Sequence, residues 1–515
     1  MDVSILLRLS ALGIYVHSVF VSITLGFPIA IMALLYKFYR TQDDFYFRAA
    51  KKMTVILAIN FALGAVTGTL VEFGLVQAWP GTIFAIASFV FAPLALELIA
   101  FANEVALLVL FIATLGKIRP MFSFAIILVY WIFAAISGVF ITTVNSWLGV
   151  PWGTGVVAHT FYPFIPVFGP QLLDVQKILI LKILLLATNQ PLQSIIQNPE
   201  VSSKIGVILA DPLIALNHPY AFWSNVHNVV AGFIVGLSIA LVAWTHRYRK
   251  TGDARYLSIV KSFLPMLLVM LLLQPTIFGH FMGEQVVNYN PTKFAMMENA
   301  RHTYNDPIMA TIVYGDPLHP IIGFDEFYRK CNLHGDKTIG ELAKEVGIDE
   351  NEILSVSKAI GVEINNKRLK EVLETKLKDV CFTDVKRAEE KIPIVHALYY
   401  TKLSGGVLAF LSVILSTLVV YFPANRLSKK LNNKLFIFAL LIFLSSTIAA
   451  TFGWAVREIG RKPWTIYGLL WPEEIVSINT VALSSPFVYF LSAIILVVGF
   501  GGLFAMYIVA TRYEG

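Results

Sequence analysis

The sequence predicts an all-α integral membrane protein with about nine transmembrane helices, and three observations carry that prediction. The chain of 515 residues is 57% hydrophobic and 14% charged, whereas about a quarter of the residues of a soluble protein are charged. Its mean hydropathy is +0.70. Nine apolar runs of about twenty residues or more are each long enough to cross the hydrocarbon core of a bilayer. The linkers between these runs alternate between basic and non-basic, as loops on the two sides of a membrane do.

The nine predicted helices follow the apolar runs in chain order. They cover residues 9–36, 53–79, 88–116, 122–148, 219–245, 258–281, 396–421, 434–457 and 483–511.

Loop charge predicts how these helices are oriented. The linkers after the first, third, fifth and seventh runs carry clusters of lysine and arginine, which accumulate on the cytoplasmic side of a membrane. We therefore expect the N-terminus and the long loops outside and the C-terminus in the cytoplasm. The basic residues of the four linkers are Lys37, Arg40, Arg48, Lys51 and Lys52; Lys117 and Arg119; Arg247, Arg249, Lys250 and Arg255; and Arg426, Lys429, Lys430 and Lys434.

The positive charge of the chain does not indicate a nucleic-acid-binding protein. The formal net charge is +7 and the isoelectric point about 9.1. The basic residues cluster in short loops between apolar runs, and no basic stripe is interleaved with stacking aromatic residues. The positive charge therefore indicates how the helices are oriented in the membrane.

Two connections between predicted helices are too long to be simple turns. The second of them, an outer loop at 284–394, separates residues 1–283 from residues 395–515. The apolar stretch 172–188 is interrupted by charges, which favours an interfacial helix or a short re-entrant piece over a span. The outer loop contains capping-box patterns at 338–341 and 349–352, followed by apolar residues at helical spacing, which predicts a small helical subdomain.

Both cysteines of the chain, Cys331 and Cys381, fall in this outer loop. They can form a disulfide if the loop is extracytoplasmic, and the sequence alone leaves their state open.

The stretch FGWAVREIGRKPW, at 452–464, places charged residues where an apolar run ends. Ionisable groups at the end of a membrane helix are rare and are functional by default if they face the protein interior. Glu458 and Arg461 are three residues apart, so a continuing helix would set them on one face, able to hold an anionic group between them. The alternative is an ordinary outer helix end with tryptophan at the headgroup level.

Four more ionisable residues lie inside predicted spans. His17 and His227 are candidate haem ligands, or else hydrogen-bonding core residues. Glu97 and Glu104 are seven residues apart, nearly two helical turns, so both carboxyls face the same way. Such a file suits a proton path through hydrocarbon, and the alternative is a pair of neutral, hydrogen-bonded acids. Together these residues favour a buried redox or proton-handling core.

The same residues carry a resemblance to a known family. From end to end the chain resembles subunit I of the cytochrome bd family of quinol oxidases. The matching blocks are residues 8–17, the runs AINFALGAVTGTLVEF and FAPLALELIAFANEVAL, Asn145 with Trp147 in VNSWLG, His227, PTKFAMMENA and GWAVREIGRKPW.

The resemblance implies a set of haem ligands. His17 matches the axial ligand of the oxygen-reducing haem, which is haem d, or haem b in its place. Glu458 matches the ligand of the neighbouring high-spin haem b, with Trp454 and Arg461 packed around that pair. His227 matches one ligand of the low-spin haem b at which electrons enter.

The resemblance also implies the remaining parts of an oxidase. Glu97 and Glu104 match acids implied in proton delivery to the oxygen site. Lys293 and Glu298 match the quinol-binding part of the outer loop; on spacing alone they are an ordinary surface pair. The expected activity is oxidation of membrane quinol and reduction of oxygen to water with proton uptake from the cytoplasm. The expected partner is a smaller membrane subunit II, and the expected location is the plasma membrane of a prokaryote.

One part of the family pattern is missing. The family supplies the second low-spin ligand as a methionine at the start of the seventh helix, two residues after an arginine. Here Lys402 takes the place of the arginine, and Ser404 or Gly405 falls where the methionine is expected. Either another residue such as His396 replaces it, or the haem is five-coordinate, or it is absent. The connection at 172–191 is also longer than the family pattern.

Two rival functions remain open at this point. A transporter or channel would use the carboxylates to line a cation path, although no inverted repeat is visible. A haem subunit that no longer oxidises quinol directly would instead take electrons from a partner.

Overall fold

The computed structural model describes residues 3–82, 86, 90–192, 213–359, 361–422, 434–476 and 484–512. Within these ranges, nine helices are long and apolar enough to cross a membrane, which confirms the predicted fold class. The predicted linker residues Arg426, Lys429 and Lys430 and the predicted helix positions 88, 89 and 483 lie outside the described residues.

The nine helices, called first to ninth below, follow the apolar runs that predicted them, and seven of them are longer than their runs. They are Val3–Thr41, Asp44–Ala78, Phe91–Thr114, Pro120–Gly149, Pro219–Thr251, Ala254–Tyr289, Ile392–Tyr421, Leu435–Ile459 and Ser485–Arg512.

The first helix lies at the centre of the bundle, packed against the second, fourth and fifth. It crosses the fifth helix at Gly26 and Gly236, where the two backbones touch. A Cβ atom at Gly236 would lie 2.0 Å from the carbonyl oxygen of Ser22. Small residues at such a crossing allow close helix packing within a membrane, and this crossing sets the first helix beside His227 of the fifth.

The sixth helix changes its hydrogen-bonding pattern partway along. Its α-helical start, Ala254–Leu273, is followed by a π-helical segment, Gln274–Gly279, and then by His280–Tyr289. Single π turns often occur at functional sites. Here the turn brings Gln274 to the fifth helix, where its side-chain Nε2 donates to the carbonyl oxygen of His227 at 2.8 Å.

The connection between the fourth and fifth helices contains a helix, Val175–Thr188, that begins at an Asp174 cap. A short antiparallel pair of strands, Thr154–Gly155 and Phe168–Gln171, precedes it, with the helix Val157–Phe161 between them. The apolar face of Val175–Thr188 packs into the same hydrophobic core as the outer loop. The charges that interrupt this stretch have separate roles, since Asp174 caps the helix and Lys182 is buried in an ion pair with Glu474.

The outer loop is built from short helices around a shared core. They are Pro291–Met297, Pro307–Tyr314, Phe324–Cys331, Ile339–Glu345, Glu350–Ala359, Asn366–Leu373 and Leu377–Glu389. A further short helix, Pro472–Ile475, follows the eighth spanning helix.

The predicted helix starts of the outer loop are present. Thr338 and Glu341 form a complete capping box, and the side chain of Asp349 accepts from the backbone nitrogen of Glu352 at 2.7 Å. A disulfide joins Cys331 to Cys381, which ties the helix Phe324–Cys331 to the helix Leu377–Glu389.

Candidate functional site

His17 faces the second helix with one ring nitrogen already engaged. Its Nδ1 lies 3.1 Å from the hydroxyl oxygen of Thr67. The hydroxyl of Thr67 donates to the carbonyl oxygen of Leu63 at 2.9 Å, so it is free to accept from Nδ1–H. That tautomer leaves Nε2 with a lone pair, as a metal-ligating histidine requires. The ring lies against Gly68, where a Cβ atom would be 3.0 Å from the ring carbon Cε1.

His227 lies beside two polar side chains from other helices. The side-chain nitrogen of Gln274 is 3.3 Å from its Nδ1, and the ammonium group of Lys402 is close enough to act on the ring electrostatically. Gly279 approaches from the π-helical segment, where a Cβ atom would lie 3.7 Å from the His227 ring. No hydrogen bond to Nε2 of His227 occurs among the described residues.

Glu97 and Glu104 lie along one side of the third helix, towards the fourth. Ser137 donates to the carboxylate of Glu97 at 3.1 Å. Glu104 is buried, and the hydroxyl of Tyr130 lies beside it. The two carboxyls are near enough to interact electrostatically, so the structure places them together as the seven-residue spacing predicts.

Glu458 is held from both sides at the end of the eighth helix. Asn145 of the fourth helix donates to one carboxylate oxygen at 2.9 Å, and Arg461 donates to the other. Arg461 lies just past the helix end and is buried, with its Nε and Nη1 without hydrogen-bond partners among the described residues. The pair therefore faces the protein interior, which answers the alternative of an ordinary outer helix end.

Two more cations surround this pair, and we call Lys293, Arg457, Glu458 and Arg461 the helix-end cluster. Arg457 is buried and donates to the carbonyl oxygen of Thr142 at 3.0 Å and to the hydroxyl of Ser146 at 2.8 Å.

Two more predicted side chains, Trp454 and Lys293, lie in this region. The guanidinium group of Arg457 lies 5.1 Å from the ring of Trp454. Lys293 reaches the cluster from the outer loop, packed against Gly460. Burial lowers the pKa of Lys293, and the neighbouring Arg457 and Arg461 act in the same direction.

Glu298 points in a different direction from Lys293. Its carboxylate accepts from the Tyr400 hydroxyl at 3.0 Å, and the Tyr400 ring contacts His396 in a tilted arrangement with ring centroids 4.7 Å apart. Burial raises the pKa of Glu298. The five-residue spacing turns the two side chains about 140° apart on a helix, so Lys293 points to the helix-end cluster and Glu298 to the seventh helix.

The family methionine is expected near the start of the seventh helix. Here that helix carries Ser404 on one face and Lys402 on another. Ser404 is exposed and donates to the carbonyl oxygen of Tyr400 at 2.9 Å. Lys402 points inward, with its stem 3.6 Å from the Cβ position of Gly453. Gly405 packs against the carbonyl oxygen of Ser445, 2.8 Å from its Cβ position.

Several residues of the site escape sequence reasoning. Thr67 and Gln274 orient the two histidines, and Arg457 adds a buried charge next to Glu458. Only Arg457 carries a sequence signal, because it is a charged residue within the apolar run of the eighth helix. The other two are ordinary polar residues whose partners lie 50 and 47 positions away along the chain.

Comparisons with known proteins show which proteins the chain is similar to. A family model described as "Cytochrome bd terminal oxidase subunit I" matches residues 8–513. A putative cytochrome bd menaquinol oxidase subunit I from Bacillus subtilis (strain 168) is 23% identical over 487 residues, covering 92% of this chain and 90% of the relative. A cytochrome bd ubiquinol oxidase subunit 1 from the same strain is 22% identical over 476 residues, covering 90% and 84%. The structure of the bd oxidase from Geobacillus thermodenitrificans matches with a TM-score of 0.68 at 16% identity, covering 99% of this chain and 98% of that one.

Proposed function

Because the chain belongs to the cytochrome bd terminal oxidase subunit I family, we propose that it is the haem-bearing subunit of a quinol oxidase that reduces oxygen to water. It is a multi-pass protein of a prokaryotic plasma membrane. In this proposal quinol is oxidised at the outer loop and protons for oxygen reduction come from the cytoplasm, so turnover separates charge across the membrane.

The helix-end cluster is the observation that carries the proposal. Among the residues that the structure describes there, Lys293, Arg457 and Arg461 bring three positive charges against the single carboxylate of Glu458. Buried charge without a counter-charge is costly, and two donors of Arg461 have no partner. The carboxylate side groups of a haem fit these donors and this excess of positive charge, while Glu458 offers an oxygen ligand to iron.

The tautomer of His17 supports the assignment of a second haem. Thr67 holds the Nδ1 proton, so Nε2 is available as an axial ligand. Gly68 allows the second helix to approach the imidazole ring closely. When bound, haem supplies the electron transfer and oxygen chemistry that protein side chains lack. We assign His17 to the oxygen site and Glu458 and His227 to two haem b groups.

The acids of the third helix are proposed to bring protons to the oxygen site. Glu104 is buried beside the hydroxyl of Tyr130, and Ser137 holds Glu97 in place. A file of carboxyl and hydroxyl groups within reach of one another is a common proton route through a membrane protein.

The outer loop is proposed to face the oxidising side of the membrane. The disulfide between Cys331 and Cys381 supports that placement, because disulfides persist outside the cytoplasm. This placement agrees with the orientation that loop charge predicts. We further propose a smaller subunit II as the membrane partner. The two Bacillus relatives are named for menaquinol and ubiquinol, so both quinols are candidate substrates.

A reduced-minus-oxidised absorption spectrum of the purified protein, with extraction and typing of its haems, tests the proposal. We expect haem b together with a far-red-absorbing chlorin, or haem b at the oxygen site as well. Oxygen consumption is then measured with short-chain ubiquinol and menaquinol analogues. A preparation that contains no haem would overturn the proposal and favour a transporter with an intramembrane carboxylate path.

A further inference from the structure

His396, a candidate replacement for the missing haem ligand, lies beside Glu298. We call Glu298, His396 and Tyr400 the loop-edge triad, and it sits where the outer loop meets the start of the seventh helix. Tyr400 links its members, because its hydroxyl donates to Glu298 at 3.0 Å and its ring packs at a tilt against His396, with ring centroids 4.7 Å apart. His396 is also close enough to act on the Glu298 carboxyl electrostatically.

The hydrogen bond of His396 fixes which of its nitrogens can accept a proton. Its Nδ1 lies 2.7 Å from the backbone carbonyl oxygen of Met297. A carbonyl oxygen only accepts, so Nδ1 carries the proton and Nε2 of the neutral ring keeps its lone pair. In the described structure no hydrogen bond reaches Nε2. The ring is thus held in the orientation and tautomer of a base.

Glu298 offers a second acceptor in the same place. Its side chain is 7% exposed, and while one carboxylate oxygen is held by Tyr400, the other has no partner among the described residues. A buried carboxylate oxygen without a donor is costly, so a hydrogen-bond donor on a bound ligand would stabilise it.

An exposed apolar helix lies close to the triad. This helix, Pro307–Tyr314, follows in the loop, and its capping residue Asp306 is near enough to act on Glu298 electrostatically. Ile308 and Ile312 on this helix are 75% and 54% exposed. Exposed apolar residues of this kind are typical of a surface that contacts lipid or a lipid-soluble ligand.

We propose that His396 and Glu298 are the two proton acceptors of quinol oxidation, an inference that rests on the proposed quinol oxidase function. A quinol has two hydroxyl groups, and its oxidation to quinone releases two electrons and two protons. One hydroxyl proton passes to Nε2 of His396 and the other to the free oxygen of Glu298. A haem held by His227, as in the proposed function, would supply the one-electron acceptor for the two electrons, and both protons would be released to the outer side.

This assignment removes His396 from the candidates for the missing haem ligand. Its Nδ1 donates to the carbonyl oxygen of Met297, and its ring packs against Tyr400 at the loop edge. Replacing a haem ligand changes the haem spectrum, whereas replacing a proton acceptor changes the rate and pH dependence of quinol oxidation.

The test compares His396→Gln with wild type and with His319→Gln. The glutamine amide can still donate to the Met297 carbonyl but cannot take up a proton. His319 is a matched control, because its Nδ1 also lies near a backbone carbonyl oxygen, 2.9 Å from that of Pro320, and its ring also contacts a tyrosine ring. Three quantities are measured on the haem-loaded oxidase: kcat and KM for a short-chain quinol from pH 5.5 to 8.5, oxygen reduction driven by ascorbate with a reduced phenylenediamine, and the haem spectrum.

We expect kcat for quinol to fall at least about 100-fold in His396→Gln, the usual contribution of a general base. The acidic limb of the kcat profile should change, while the spectrum and the rate with the artificial donor stay as in wild type. The other titratable groups facing the triad, Tyr304, Asp306 and Tyr399, remain in both variants. Tyr400→Phe, which keeps the ring but removes the donor to Glu298, should lower kcat less and keep the histidine limb.

Two results would overturn the inference. Wild-type kcat and pH profile in His396→Gln would show that the imidazole takes no proton. A changed haem spectrum in that variant would make His396 a haem ligand. Failure of the proposed function is seen separately, since wild-type protein would then fail to reduce oxygen even with the artificial donor.

Discussion

Replacing Lys182 with methionine should loosen the attachment of the helix Val175–Thr188 to the outer part of the protein. The ammonium group of Lys182 lies 2.6 and 2.8 Å from the two carboxylate oxygens of Glu474, and each of these side chains is 8% exposed. It also lies 3.9 Å from the ring of Trp471. The pair joins the long connection after the fourth spanning helix to the segment that follows the eighth.

The expected loss is about 3–5 kcal/mol, the usual cost of removing one partner of a buried ion pair. Methionine keeps the apolar stem of Lys182, so the loss comes from the charge. Glu474 retains one donor, the backbone nitrogen of Trp471 at 2.7 Å, which does not replace the ammonium group. If the loss appears as local opening, amides of this helix should exchange roughly 100- to 3,000-fold faster.

Hydrogen–deuterium exchange of the detergent-solubilised protein measures this effect directly. Lys177→Met is the control, because Lys177 lies on the same helix and has no ion pair in the described structure. The double variant Lys182→Met with Glu474→Gln removes both charges and should recover a large part of the loss, since no buried charge is left unpaired.

Two outcomes would refute this reasoning. Exchange in Lys182→Met less than about fivefold faster than in Lys177→Met would correspond to under about 1 kcal/mol, and the pair would then not hold the helix. A double variant that loses as much as the two single variants together would show that the charges act independently rather than on each other.

Three further predictions test other parts of the protein. His17→Ala should lose the oxygen-site haem and abolish oxygen reduction, measured as haem content and oxygen uptake; full activity would refute the assignment. Gly236→Ala should lower the melting temperature, because its Cβ would lie 2.0 Å from a carbonyl oxygen of the first helix. Gly406→Ala is the control, because its Cβ would meet open space. Equal melting temperatures of the two variants would contradict the prediction. Serine at both Cys331 and Cys381, which are 50 residues apart, should cost the outer loop about 4 kcal/mol of unfolding free energy by loop entropy, measured by denaturant-dependent proteolysis. Unchanged proteolysis would refute it.

The spanning helices could be predicted because hydrocarbon imposes a simple rule on the sequence. A run of about twenty apolar residues has no other stable state in a bilayer than a helix. The helix ends were harder, because polar residues continue a helix once they leave the hydrocarbon. The first helix was predicted at 9–36 and runs over Val3–Thr41, and the sixth was predicted to end at 281 and continues to Tyr289.

The contacts of the site could not be predicted in the same way, because they join residues that are distant in sequence. The bond between Asn145 and Glu458 spans 313 positions, and the bond between Lys182 and Glu474 spans 292. Each of these residues is recognisable as a polar residue in an apolar setting, but nothing in the sequence says which one it meets. Local spacing sufficed for Glu97 and Glu104, because one helix fixes their relative direction.

The same helical geometry bears on the missing methionine ligand. Positions 402 and 404 are about 200° apart around the seventh helix. Ser404 lies on the exposed face, whereas Lys402 faces Gly453 and His227. A methionine at 404 would therefore point away from the proposed low-spin haem, and a methionine at 402 would point towards it. We expect Ser404→Met to leave the haem b spectrum unchanged and Lys402→Met to shift it, because a thioether near the iron alters spin state and potential. A spectrum that changes only in Ser404→Met would mean that this helix turns when haem binds, and that the inward direction of Lys402 does not decide the ligand.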